Sequence, residues 1–321
     1  MKKVLVVQHI HEEGIKLLEK EVKVVMASNI NKETLIKESK DCDGILIRTA
    51  KLSGEVIKSD KKLKVIGRHG IGVDNIDVKT ATEQGVLVVN APTAMTDSVA
   101  EHVLAMMLAL SKNLIKFNYE VRHGGFELRN KIFNTQFKGK TVGIIGLGHI
   151  GICLVGKLQS FGVNIMAYDP FVDRNNIKKE KLELVDDLNK IYKNADFITV
   201  HVPLNNDTRG MIGKEEFKKM KKSAYFINAS RGPIVCEEDL YQALKNKEIE
   251  GAGIDVYIEE PPAFDNPLFK LDNIILTPHN AAHTKEAMIK MATQAAQGIL
   301  DFLNGKTPKY MVNPEVLEKY K

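Results

Sequence analysis

The chain has 321 residues, 44% apolar and 27% charged, with a formal net charge of +5. That length exceeds one comfortable core and suits two domains of ordinary globular composition. Lysine is interleaved with acidic residues rather than clustered, so nucleic acid is not an expected partner. Cys42, Cys153 and Cys236 are widely spaced and show no ligand pattern, which argues against a disulfide framework or a zinc site. The apolar run at the start breaks at Gln8 and no run reaches membrane-spanning length; no membrane partner is expected, and a cytoplasmic location is the default.

In chain order, KVLVV, EEGIKLLEKE, KVVM, NKETLIKES, GILIR, EVIKS, LKVIG, VKTATEQG and VLVVNAP alternate short β-type runs with amphipathic helical ones. Such alternation predicts a parallel sheet covered by helices. Residues 97–117 follow, apolar on nearly all sides between 99 and 110, and predict one buried helix that leaves the first domain. Residues 118–140 are polar, with Gly124, Gly125 and Gly139, and read as an irregular connection. A second α/β run then goes TVGIIG, a helix over 149–161, VNIMAYD, a polar insertion, DFITVHVP, a helix over 214–220, AYFINAS, a helix over 237–246, AGIDVY and NIILTPH. Six such strands make a doubly wound dinucleotide-binding domain. A last helix over 284–303 is expected to return the chain to the first domain, and the tail KYMVNPEV carries apolar residues that need a surface to cover. The expected division is 1–98 with 287–321 for one domain and 99–286 for the other.

The richest motif is GLGHIG, Gly146 to Gly151, which also contains His149 and Ile150; an apolar run leads into it and Asp169 ends the next one, about 20 residues on. Gly146 allows a sharp turn off the strand, Gly148 lets backbone amides approach a pyrophosphate, and Gly151 lets the helix pack on the sheet. A carboxylate at Asp169 accepts hydrogen bonds from ribose hydroxyls and repels a 2′-phosphate, which favours NAD over NADP.

Three further stretches fall after predicted strands, where α/β folds place their ligands: NASRGP with Arg231, DVYIEEPP with Glu260 and TPHNAAH with His279. Together with GRHGIGVDNID, GLGHIG and HVPLNNDT, in this order, the chain resembles the D-isomer-specific 2-hydroxyacid dehydrogenase family over essentially its full length. The resemblance implies a Rossmann cofactor domain inserted into a flavodoxin-like substrate domain, both doubly wound parallel sheets. It makes His279 the general acid/base, Glu260 its carboxylate partner and Arg231 the cation that orients the substrate. The chemistry asks for the same types: hydride transfer to a carbonyl leaves an alkoxide that needs a proton, an imidazole supplies it, and a guanidinium grips the acid. His201, Val202, Pro203, Thr208 and Ala229 are expected along the cofactor with Gly146, Gly148, His149, Ile150, Gly151, Asp169 and His279, and Asp255 resembles the family residue that holds the nicotinamide carboxamide.

The stretch His69, Gly70, Ile71, Gly72, Val73 reads either as a tight turn or as an amide nest for a carboxylate; the resemblance favours the nest. Within the family, Arg48 and Arg68 match the phosphoglycerate dehydrogenase branch, whose arginines lie near the substrate phosphate, and Arg129 is a candidate to act across a homodimer. Such a chain, ending soon after KYMVNPEV, is expected to lack that branch's regulatory domain. The implied activity is oxidation of 3-phosphoglycerate in serine biosynthesis; the alternatives are a glyoxylate or hydroxypyruvate reductase and, in another class, a corepressor-like binding protein that senses NAD(H). Domain closure is expected to bring Arg231 and the nest together. His102 and His149 read as structural, Cys236 as a buried small residue, and a metal at His279 and His283 is rejected because Pro278 interrupts any helix.

Overall fold

The computed structural model describes residues 1–173 and 182–320. It divides into two compact units, Met1–Met95 with His283–Lys321, and Thr96–Ala282. The chain crosses between them a few residues earlier than the sequence suggests, at both ends. The first long helix starts at Thr96 and packs along its whole length within the second unit, while Thr284 already caps the last helix in the first.

The first unit opens with β1 (Lys3–Val6), α1 (Glu12–Glu19), β2 (Lys23–Met26), α2 (Lys32–Glu38), β3 (Gly44–Ile47), α3 (Gly54–Lys58), β4 (Val65–Arg68), α4 (Val78–Gln84) and β5 (Leu87–Val89). The sheet order is β2-β1-β3-β4-β5, all parallel, which is the flavodoxin order. Its strands are continuous apolar runs because both faces are covered: Val4, Val6, Leu46, Val65 and Leu87 point to one core, Leu5, Ile45, Ile47, Ile66 and Val88 to the other. The order reverses between β1 and β3. There Gln8 accepts hydrogen bonds from the Thr49 and Ala50 amides at 2.7 Å each and fixes the chain that follows Arg48.

The second unit contains α5 (Thr96–Ser111), α6 (Leu114–Arg122), β6 (Thr141–Ile145), α7 (His149–Leu158), β7 (Asn164–Tyr168), β8 (Glu183–Leu184), α8 (Leu188–Asn194), β9 (Phe197–Val200), α9 (Lys214–Lys219), β10 (Tyr225–Asn228), α10 (Glu237–Lys245), β11 (Gly251–Ile254) and β12 (Ile274–Leu276). Its parallel order, β12-β11-β10-β9-β6-β7-β8, is the Rossmann order with one strand added beyond β11. The switch point lies between β6 and β9.

Three expectations are corrected here. The single helix over 97–117 is two, bent by 58°: Asn113 takes a left-handed φ of 49°, which asparagine tolerates and which turns the chain off the axis of α5. The apolar α5 is buried while α6 buries none of its residues, so the break falls where the all-round apolar pattern ends. The irregular connection begins with the last turns of α6 and includes a 3-10 turn at Phe126–Asn130. The polar insertion carries a short seventh strand, β8, paired with β7, and a helix, α8, capped by Asp187; residues 174–181 of the insertion lie outside the described residues.

The chain re-enters the first unit through α11 (Lys285–Leu303), started by the Thr284 hydroxyl accepting from the Ala287 amide. α11 crosses α1 at Gly14, where a β-carbon would meet Ala292 Cβ at 2.7 Å, and lies on β4 at Gly67, where it would meet Ile299 Cδ1 at 2.6 Å. The tail then covers its apolar residues along β5: Met311 bridges Val89, the Val312 amide donates to Val88 O at 2.8 Å, and Val316 is buried.

Candidate active site

The glycine loop at the end of β6 is shaped by backbone approach. Gly146 has a φ of +99°, and a β-carbon there would lie 2.7 Å from His201 O; at Gly151 it would lie 2.2 Å from Gly146 O. Both positions therefore demand glycine. At Gly148 a β-carbon would meet nothing within 4 Å, and no side chain caps α7, so the space beside Gly148 is open and the helix start is uncapped. That combination of open cradle, uncapped helix start and nearby acid fits a dinucleotide pyrophosphate. Asp169, just after β7, is half-buried; its Oδ2 accepts from the Leu147 amide at 2.8 Å and its Oδ1 from the Phe171 amide at 2.9 Å. A carboxylate has about four acceptor positions, so two are left for hydroxyl donors.

The neighbouring loop forms a wall. Burial pushes the His201 imidazole down to about 4, so it is neutral, and its Nε2 lies 3.1 Å from Thr199 Oγ1. Thr208 Oγ1 donates to Pro203 O at 2.6 Å and its amide donates to Asn205 Oδ1, which ties the loop after Val202 into one shape. His149 is exposed, while Ile150 and Ala229 are half-buried.

Arg231 follows β10 on a loop held by Asn228, which is buried: Asn228 Nδ2 donates to Arg231 O at 2.9 Å and Oδ1 accepts from the Ser230 amide at 3.0 Å. Ser230 Oγ donates to Val202 O at 2.7 Å, and Arg231 Nη1 donates to Ser230 O at 2.8 Å. Gly232 brings this loop against the next, since a β-carbon there would fall 2.0 Å from Tyr257 O.

His279 Nδ1 lies 2.6 Å from Glu260 Oε2, and both side chains are about two-fifths exposed. The carboxylate accepts a hydrogen bond from Nδ1–H, which leaves Nε2 as the ring nitrogen outside that pair. Burial alone would raise Glu260; the hydrogen bond and charge of His279, the Tyr257 amide at 3.1 Å and the charge of Arg231 outweigh it and hold the carboxyl below its usual range. His279 itself sits at a φ of +50°, which costs about 1–2 kcal/mol for a residue with a β-carbon. Its amide donates to Asp255 O at 2.7 Å.

Asp255 is placed otherwise than as an acid open to a ligand. It is fully buried, and its carboxylate accepts from Thr277 Oγ1 at 2.5 Å, the Asn280 amide at 2.9 Å and the Ala281 amide at 3.0 Å. Sequence reasoning missed Tyr257, Thr277 and Asn228, all inside or beside the recognised motifs. Tyr257 both holds Glu260 through its amide and donates its hydroxyl to Thr277 O at 3.1 Å. Burial, with the charges of Asp255, Glu237 and Glu260, pushes that phenol up to about 12, so it stays a neutral donor.

In the first unit Arg48 follows β3 and Arg68 ends β4. Arg48 Nη2 lies 2.8 Å from His283 Nε2, and Arg68 Nη1 donates to His69 O. His69 is buried, and burial together with the positive charges of Arg48 and Arg68 pushes its imidazole down to about 4. Gly70, at a φ of +139°, leaves room for Arg68, whose Nη1 would lie 2.5 Å from a β-carbon there. The Gly70 amide donates to Arg68 O, and Ile71 O accepts from Asn90 Nδ2 at 2.9 Å, so the loop from Gly70 through Gly72 to Val73 is anchored at its start. Among the described residues no three His, Cys, Asp or Glu side chains cluster as metal ligands.

Two parallel sheets, a glycine loop at the switch point of one and a His–Glu pair at the strand ends of the same unit define a nucleotide-binding α/β protein with acid/base groups. Residues 104–281 match the family model for the NAD binding domain of D-isomer specific 2-hydroxyacid dehydrogenases, and the chain belongs to that family. It is 44% identical over 314 residues to D-3-phosphoglycerate dehydrogenase of Methanocaldococcus jannaschii, an alignment covering 98% of this chain and 60% of the relative. The chain thus spans about three-fifths of that relative's length. It is 33% identical over 323 residues to glyoxylate reductase of Korarchaeum cryptofilum, covering 98% of this chain and 97% of the other. A crystal structure of a Thermus thermophilus protein superposes with a TM-score of 0.88 at 27% identity, covering 97% of this chain and 99% of that one. The resemblance and the fold class read from the motifs are borne out.

Proposed function

We propose that this chain is an NAD-dependent D-2-hydroxyacid dehydrogenase that oxidises 3-phosphoglycerate to 3-phosphohydroxypyruvate, as in serine biosynthesis, and works as a cytoplasmic homodimer. The observation that carries the reading is the 2.6 Å contact of His279 Nδ1 with Glu260, in the unit that also holds the glycine loop and Arg231. A bound nicotinamide supplies the hydride acceptor. His279 Nε2 removes the proton from the substrate hydroxyl, and Glu260, kept ionised by its partners, stabilises the resulting imidazolium. Arg231 binds the substrate carboxylate, and Arg48 and Arg68 bind the phosphate; the amides of the loop 70–73 are a further candidate anion site. In reduction the same groups run in reverse.

Asp169, with acceptor positions left for the ribose hydroxyls, supports NAD over NADP. The phosphoglycerate reading is supported by Arg48 and Arg68 and by the identities of 44%, 41% and 39% to relatives of that name, above those to glyoxylate reductases at 33% and 36%. Partner contact is supported by α6 and the turn after it, where Leu114, Ile115, Tyr119, Val121 and Phe126 are exposed, with Arg129 stacked 4.3 Å from the Phe126 ring centroid. A glyoxylate reductase is the second reading, favoured by the match over nearly the full length of the Korarchaeum cryptofilum enzyme. Rates of NADH and NADPH oxidation across a panel of 2-keto acids test the assignment. Phosphohydroxypyruvate with NADH should give the highest kcat/KM; a panel led by glyoxylate would transfer the assignment to the second reading, and no turnover of any 2-keto acid would remove both.

A further inference from the structure

We propose that His102 is a positioning residue for His279, acting through Thr277 and Asp255; this rests on the acid/base reading of His279 above. The four residues come from α5 and from the chain just after β11 and β12, and a glycine lets them meet. His102 and Met106 stand one turn apart on the same face of α5. Gly253 in β11 faces that turn: a β-carbon there would lie 3.0 Å from Met106 Sδ and 3.2 Å from Met106 Cβ, so glycine lets helix and strand pack closely at this point. The close approach brings His102 Nε2 to 3.2 Å from Thr277 Oγ1 and 3.7 Å from Asp255 Oδ1.

The hydrogen-bond inventory fixes the direction of this chain. Thr277 has a single hydroxyl proton and donates it to Asp255 Oδ1 at 2.5 Å. Toward His102 the same oxygen therefore accepts, and His102 carries its proton on Nε2. Asp255 passes the constraint onward, because its carbonyl and its two carboxylate oxygens take the amides of His279, Asn280 and Ala281. Three consecutive amides thus hang from one buried residue, and the first belongs to the imidazole that sits in a left-handed backbone. With His102 gone, Thr277 Oγ1 loses the donor it accepts from, and the clamp that holds the three amides through the buried Asp255 loses its support on the side of α5. Simple packing at His102 would be satisfied equally by leucine.

The test compares kcat and KM in the full chain for wild type, His102→Leu, His102→Gln, Thr277→Val and the His102→Leu/Thr277→Val double variant, with NADH affinity and the thermal midpoint measured alongside. His102→Leu and Thr277→Val should each lower kcat about tenfold, the loss expected for one hydrogen bond in a charged network, with little change in KM for NADH or keto acid. The double variant should be no slower than either single one, and His102→Gln, which restores an N–H donor, should recover most of the rate. Full kcat in Thr277→Val, or losses that multiply in the double variant, would overturn the proposal; the near-isosteric Thr277→Val decides it even if His102→Leu fails to fold. Turnover retained in His279→Ala would sink the acid/base reading itself, whereas turnover lost there but unchanged in the His102 and Thr277 variants would overturn the positioning role alone.

Discussion

The two units are built on the same plan, a parallel sheet with its polar groups at the strand ends, yet they arm those ends differently. In the unit Thr96–Ala282 the groups form a closed set: His279 on Glu260, Glu260 on the Tyr257 amide, Tyr257 on Thr277 and Thr277 on Asp255. In the other unit the chemistry is positive charge, Arg48 and Arg68 around a histidine that burial and those charges keep neutral. A group that must move a proton needs its donors and acceptors oriented in advance, whereas a group that recognises an anion needs charge that never titrates. On the function proposed above, proton transfer and carboxylate binding fall to the unit with His279 and Arg231, and phosphate recognition to the unit with Arg48 and Arg68; that division is open to attack at each.

The largest expected effect short of the catalytic base is on recognition. Each charge-assisted hydrogen bond to a phosphate contributes about 1.5–3 kcal/mol, so Arg48→Ala or Arg68→Ala should raise KM for phosphohydroxypyruvate by roughly ten- to a hundredfold and leave glyoxylate nearly unchanged. Equal losses on both substrates would mean that these arginines serve the common carboxylate or the fold. Cofactor choice should move next. Asp169→Ala removes both the ribose acceptor and the repulsion of a 2′-phosphate, so the ratio of kcat/KM for NADPH to that for NADH should rise by about tenfold, one lost hydrogen bond to a charged acceptor. A wild-type preference for NADPH would contradict the role given to Asp169.

The smallest effect is a displacement along the pH axis. Glu260→Gln removes the ionised carboxylate that accepts from His279 Nδ1, so keto-acid reduction should slow. Glu260 is held below the ordinary carboxylate range, so the stability its ionised form contributes is full above that range and is lost only as pH falls through the depressed value. A stability curve whose acid limb is unmoved in Glu260→Gln would contradict the depressed Glu260 carboxyl, and an unchanged rate would separate Glu260 from His279 in function.

Much of this was legible in the sequence where backbone geometry permits a single residue type. Gly146 and Gly151 announce a turn and a close approach, where a β-carbon would fall 2.7 and 2.2 Å from backbone oxygens, and the apolar strands announce sheets buried on both faces. The break at Asn113 was hidden because the residues on either side keep a helical pattern and only burial changes between α5 and α6. Strand β8 has two residues, too few for periodicity to register. Asp255 was visible as an acid at a strand end, but its burial under Thr277, Asn280 and Ala281 depends on a loop more than twenty residues further on. His102, set in an apolar helix, looked like filling because its partners lie far along the chain.

The most direct measurement of the division between the units is His279→Ala, with NADH binding followed by fluorescence and turnover followed on phosphohydroxypyruvate and glyoxylate together. General acid/base catalysis contributes roughly a hundred- to ten-thousandfold, so kcat should fall by that order on both substrates while NADH affinity and KM for the phosphorylated substrate stay close to wild type. A variant that keeps its kcat, or one that loses the phosphorylated substrate alone, would contradict the assignment of proton transfer to His279 and of phosphate recognition to the other unit.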